Sequence, residues 1–187
     1  MPWTAADIPD LTSTTAVVTG ANSGIGYVAA RELARHGAVV ILACRSAERG
    51  GAAHAQLRRE VPRADVRLAQ LDLADLSGDV PAASADLVLS LGGDGTMLRA
   101  VHLLDGSEVP IIGVNVGLLG YLTEVEPPAL TSALERFFAG PAPDAGDWQV
   151  ERRMMVDIEL HRLGRPADAV ERWRALNEGV LEKLDVG

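Results

Sequence analysis

Lysine is almost absent from this chain: of its 17 basic residues every one but Lys183 is arginine. Chemistry that needs lysine in a fixed motif is confined to that one position, so a P-loop, which closes on Gly-Lys-Ser/Thr, is excluded. Cysteine is down to a single residue, Cys44. No internal disulfide and no multi-cysteine zinc site can form. Cys44 ends the apolar run 39–44, where it reads as a small buried core residue, and a reducing cytoplasm is the expected setting. The four histidines, His36, His54, His102 and His161, lack metal-ligand spacing. No apolar run approaches the roughly 20 residues that cross a bilayer. The N-terminus does not place a basic region before an apolar stretch, so no signal peptide is expected. With 26 acidic against 17 basic residues the net charge is -9, which argues against a nucleic-acid or anionic-membrane partner.

What is present suits a packed core. Hydrophobic residues make up 48% of 187, enough for one large domain or one domain with part of another. Strand-like and helix-like stretches alternate. Residues 15–19 read as a β-run and 24–36 as a helix with Ile25, Val28, Ala29 and Leu33 on one face, stopped at Gly37. Residues 38–43 form a continuous apolar strand of the kind buried in parallel sheets. A helix over 46–60, weakened by Gly50-Gly51, and a strand over 65–71 complete β-α-β-α-β. The stretch 74–85 has no amphipathic period and reads as a junction. Alternation then resumes, with strands at 86–91 and 109–114 and helices at 96–104 and 127–138. A Pro/Gly linker at 140–147 precedes two expected strands, 149–160 and 170–183, around a turn at 162–166. There are no internal repeats.

Two glycine loops carry the chemistry. The first, Thr19-Gly20-Ala21-Asn22-Ser23-Gly24-Ile25-Gly26, lies between a strand and a helix, where glycines let the backbone approach a pyrophosphate at the helix's positive end. This segment resembles the short-chain dehydrogenase/reductase family, with its T-G-x-x-x-G-I-G fingerprint. The resemblance implies a dinucleotide contact by Gly20, Asn22, Gly24, Ile25 and Gly26. It also implies that Arg45 meets the 2′-phosphate of NADP, and that Asp72 and Leu73 contact adenine. Arg45 as a solvated strand-end charge is the alternative. The resemblance stops near Leu76. That family's Tyr-x-x-x-Lys centre is missing: four residues before Lys183 stands Gly179, and four after Tyr27 and Tyr121 stand Arg31 and Val125. Hydride transfer in that family's manner is excluded.

The second loop, Leu91-Gly92-Gly93-Asp94-Gly95-Thr96, again joins a strand to a helix and sets one carboxylate among three glycines. Met97-Leu98-Arg99-Ala100 follows, then Gly113-Val114-Asn115-Val116-Gly117-Leu118-Leu119-Gly120-Tyr121-Leu122, and later Ala175-Leu176-Asn177-Glu178. This ordered set resembles the NAD kinase family over residues 86–183. The resemblance implies ATP-dependent phosphorylation of the adenosine-ribose 2′-hydroxyl of NAD, with Asp94 as the base and Mg²⁺ carried largely by substrate phosphates. It further implies nucleotide contacts by Gly92, Gly93, Gly95, Thr96, Arg99 and Asn115, with Asn177 and Glu178 orienting the ribose. For Arg99 a solvated helix charge, for Asn115 a cap on the following turn, and for Asn177-Glu178 an ordinary strand edge remain open.

The expected organisation is a dehydrogenase-like half (1–76), a junction (77–85), a kinase-like α/β segment (86–146) and the start of a β-rich domain (147–187). The expected fold is α/β, a doubly wound, Rossmann-like and mostly parallel sheet followed by a short incomplete β segment. The kinase resemblance also implies a further β-rich region with a second Gly-Asp-Gly, which these 187 residues do not contain. Activity impaired by truncation is therefore expected. A non-catalytic NAD(P)-binding module or a fusion fragment is the alternative. Small nucleotides are the expected partners, and unpaired strand edges favour a homo-oligomer.

Overall fold

The computed structural model describes residues 4–72, 80–117, 120–140, 150–161 and 170–176. The chain divides into two units, 1–149 and 150–187.

In the first unit the short apolar runs become five parallel strands: β1 (Thr15–Thr19), β2 (Val39–Cys44), β3 (Val66–Gln70), β4 (Leu87–Gly92) and β5 (Ile111–Asn115). They line up in the order β3-β2-β1-β4-β5. The sheet is continuous across the 74–85 junction, because β1 and β4 pair directly, in the register Ala16↔Leu87, Val17↔Val88 and Val18↔Leu89. Asp86 reinforces this seam: its N–H donates to the Thr15 carbonyl (2.8 Å), and its carboxylate accepts from the Thr15 N–H (2.7 Å). The expected α/β, doubly wound class is the observed one.

The period of two along each strand sends neighbouring residues to opposite faces. Val18, Leu42, Leu87 and Leu89 pack beneath α1 (Gly24–Arg35), α2 (Ala47–Glu60) and α4 (Leu130–Ala139), through Leu33, Leu57, Leu130 and Leu134. Val17, Ile41 and Val88 face the other way, beneath Ala100 and Leu104 of α3 (Asp94–Leu104) and beneath Ala82 and Ala85. Burial on both faces explains why β2 is apolar throughout rather than alternating. Cys44 is buried as expected, and burial pushes its thiol pKa up.

Several boundaries differ from the sequence reading for local reasons. Helix α3 begins at Asp94, two residues before the expected start, because Gly93 takes extended backbone as its N-cap. Strand β5 begins at Ile111 rather than 109, after Pro110, which has no N–H for the ladder. The expected helix 127–138 opens as a 3-10 turn, Pro127–Ala129, before α4. At the junction, the described part forms one 3-10 turn, Ala82–Ser84; residues 73–79, including Leu73, lie outside the described residues.

In the second unit, β6 (Val156–His161) and β7 (Val170–Ala175) pair antiparallel. The strand expected from 149 is confined to β6, and the intended turn at 162–166 lies outside the described residues. Val156 and Ile158 share one face with their partners Ala175 and Trp173. Ion pairs Arg174–Asp157 (2.6 Å) and Arg172–Glu159 (2.8 Å) occupy the other.

Gly50 and Gly51, which weaken α2 on propensity, have unequal roles. A Cβ at Gly50 would sit 2.8 Å from Leu68 Cδ1 and 3.1 Å from Cys44 Cβ, whereas at Gly51 it would meet nothing within 4 Å. Gly50→Val should therefore cost about 1–3 kcal/mol by overpacking, while Gly51→Ala should stabilise by about 0.5–1 kcal/mol through helix propensity. Urea unfolding midpoints of the two variants will move in opposite directions.

Candidate functional site

In this strand order the chain leaves the β3 edge and re-enters beside β1, so the sheet's switch point lies between β1 and β4, where open α/β sheets bind their ligands. Both glycine loops emerge there, one from each strand. The strands part at that end. Backbone pairing reaches Val18↔Leu89, and the Leu91 N–H then turns to the Thr19 hydroxyl (3.0 Å). Thr19, the first letter of the loop's fingerprint, thus marks where the two strands part, a role its place in the motif does not announce.

Within the first loop the glycines have different tasks. Gly20 and Gly24 hold positive φ, +63° and +56°. Gly26 lets α1 pass close under the turn, since a Cβ there would lie 2.6 Å from the Gly20 carbonyl oxygen. The second loop repeats the division. A Cβ at Gly92 would run into the Thr96 side chain, whereas at Gly93 and Gly95 it would meet nothing within 4 Å. One glycine closes the loop on itself, and two leave its backbone approachable.

Asp94 opens α3, and its carboxylate is held by a backbone loop. Oδ1 accepts from the N–H groups of Tyr121 (3.1 Å), Leu122 (2.9 Å) and Thr123 (3.3 Å), and Oδ2 accepts from Tyr121 (2.9 Å). These donors, Tyr121 foremost and then Leu122, lower the Asp94 pKa below the usual carboxylate value. The helix N-terminus favours the same charge. Asp94 is therefore a fixed anion, with acceptor capacity left on Oδ2. Tyr121 itself is 81% exposed.

Asn115, at the end of β5, is 6% exposed. Its Oδ1 accepts from the Gly117 N–H (3.0 Å) and its Nδ2 donates to Glu126 (3.2 Å). The turn-capping alternative describes this geometry, and Glu126 was not foreseen. Arg99 is exposed on α3, and Arg45 is exposed just past β2. Asp72 follows β3 and is half-buried. Thus Gly92, Gly93, Asp94, Gly95 and Thr96 converge with Gly20, Asn22, Gly24, Ile25 and Gly26 at one end of the sheet. Asn177 and Glu178 lie outside the described residues. An apolar groove of about 420 Å³ runs along α1 and α4, between Ile25, Val28, Leu130 and Leu134. None of residues 92–96 lines it. Among the described residues no group of three or more His, Cys, Asp or Glu can hold a metal, and no helix is long and apolar enough to cross a membrane.

Fold and loops together define a doubly wound, Rossmann-like protein with paired glycine loops at its switch point. Comparison with known proteins narrows this class. The family described as ATP-NAD kinase N-terminal domain matches residues 29–142, reaching upstream of residue 86 into α1. The NAD kinase of Geotalea daltonii is 42% identical over 105 residues, which are 56% of this chain and 34% of that protein. That of Mycobacterium bovis is 37% identical over 131 residues, 66% of this chain and 40% of that protein. The chain belongs to the NAD kinase family, and it spans about two fifths or less of the length of these relatives. Among solved structures, the apo form of a short chain oxidoreductase from Pseudomonas aeruginosa PAO1 with an atypical catalytic center has a TM-score of 0.50 at 22% identity. It covers 67% of this chain and 61% of that one, a likeness of fold alone.

The Asp94 contacts fix a pH response. A carboxyl whose folded pKa is depressed stabilises the loop above its unfolded pKa, about 3.9, and that contribution is lost as pH falls through the lower folded value. An NMR titration of the Asp94 carboxyl should show a midpoint below about 3.9. A midpoint at or above that value would remove the clasp.

Proposed function

We propose that this chain supplies the Gly-Asp-Gly side of an NAD kinase site, which transfers the γ-phosphoryl group of ATP to the adenosine-ribose 2′-hydroxyl of NAD to give NADP. The observation that carries this reading is Asp94, anchored as an anion between two approachable glycines in a chain of the NAD kinase family. Phosphoryl transfer asks mainly for positioning and charge stabilisation. Oδ2 of Asp94 would accept a hydrogen bond from the 2′-hydroxyl and orient its oxygen toward the phosphorus. The same backbone donors lower its basicity, so in this reading Asp94 accepts the proton as the O–P bond forms and the hydroxyl becomes acidic. Backbone N–H groups at Gly93 and Gly95 would lie against nucleotide phosphates. Arg99 would meet a phosphate from the helix, and Asn177 and Glu178 would orient the ribose. Mg²⁺ would arrive with the nucleotide, held by phosphate oxygens and water. Small nucleotides are then the partners, and neither nucleic acid nor membrane is. A homo-oligomer in the cytoplasm is the setting of this reading.

A second reading concerns the first loop, whose Gly24 has positive φ and open space above it. There NAD or NADP would bind without turnover, with Arg45 near the 2′-phosphate and Asp72 and Leu73 near adenine.

Purified protein incubated with ATP, Mg²⁺ and NAD should form NADP, and Asp94→Ala should lower the rate by at least about 10²-fold. No NADP above the Asp94→Ala background overturns the catalytic reading. Dinucleotide binding that persists in Asp94→Ala and disappears in Gly24→Trp would support the second.

A further inference from the structure

Asp94 is only as well placed as the loop that holds it, and that loop is organised from below. Past β5 the chain folds back so that the Asn115 N–H donates to the Val125 carbonyl (2.8 Å) and the Val125 N–H to that of Gly113 (3.1 Å). The Val116 N–H reaches the Gly92 carbonyl (3.0 Å), tying this segment to the Gly-Asp-Gly loop. The nearly buried Asn115 amide lies inside the fold-back. A Cβ at Gly120 would come within 3.1 Å of Asn115 Nδ2 and 2.6 Å of the Thr123 carbonyl oxygen. Gly120 therefore lies against the Asn115 side chain, at a place with no room for a side chain of its own.

An asparagine amide can sit either way round, and its oxygen and nitrogen ask for opposite partners. Glu126 removes the ambiguity. Its carboxylate only accepts, so it draws the NH₂ group toward itself (3.2 Å) and leaves the oxygen facing the Gly117 N–H (3.0 Å). Reversal would place a donor against a donor at Gly117 and an oxygen against an oxygen at Glu126. We propose that Glu126 is a positioning residue: by fixing the Asn115 amide it holds the fold-back in the shape in which the 121–123 backbone grips Asp94. Its consequence for catalysis rests on the kinase reading, but the grip itself does not.

The test is amide hydrogen exchange at Tyr121, Leu122 and Thr123, measured on the whole chain without nucleotide. In Glu126→Ala these three amides should exchange about tenfold faster, while amides within α3 keep their rates. Glu126→Gln, which still offers an acceptor oxygen, should return them to the wild-type rate. The inference is overturned if the three amides are unchanged in Glu126→Ala, if α3 accelerates equally, or if Glu126→Gln is as fast as Glu126→Ala. A protein that shows this exchange pattern yet forms no NADP would retain the positioning role and lose the kinase reading. Where NADP is formed, Glu126→Ala should raise the KM for NAD and lower kcat, and it should add nothing to Asp94→Ala; full additivity of the two losses overturns it.

Discussion

The pairing of β1 with β4 is the contact on which the rest of this structure depends. Without it the chain would be two short parallel ribbons, each with an exposed apolar edge. With it, residues from either side of the 74–85 junction share one sheet and two cores, one beneath three helices and one beneath α3. The seam is sealed at its lower end by Asp86 and Thr15, and it is opened at its upper end by the Thr19 hydroxyl. A sheet closed below and parted above forms a crevice. Both glycine loops border it because they leave the two strands that part there.

The clasp on Asp94 shows how such a crevice is kept in shape without lysine. The carboxylate draws its hydrogen bonds from three successive backbone N–H groups rather than from a cationic side chain. Main-chain donors have no rotamers to lose, and the loop bearing them is pinned through Asn115 and Gly120. The result is a carboxylate with a set direction. That is the property a group needs if it is to orient a hydroxyl rather than compete for its proton early.

Much of the fold was legible because its signals are local. The apolar runs at 15–19 and 38–43 and the strand-glycine-helix transitions state their structure within a few residues. The boundary shifts at Asp94, Ile111 and Pro127 come from cap and proline geometry, which periodicity does not encode. The glycine loops were legible in the same way, and the profile match over 29–142 agrees with reading the second as kinase-like. Thr19, Thr123 and Glu126 were not. Thr19 acts on a residue 72 positions away, and Glu126 acts on an amide 11 positions back. The donors at 121–123 are backbone groups, which no residue letter reports. Asn115 stood out by its motif, but which way its amide points depends on Glu126, and that only the folded chain reveals.

Solvation of the Asp94 carboxylate by amides has a further electrostatic consequence. Peptide groups contribute dipoles and no net charge, so the clasp orients and solvates the carboxylate without cancelling its formal charge. The formal charge of Asp94 remains part of the chain's net charge of -9. The N–H dipoles, by contrast, act only over the first turn of the helix. The dipoles act at short range and the charge at longer range. An anion that carries its counter-cation is therefore repelled less by this carboxylate than a bare one.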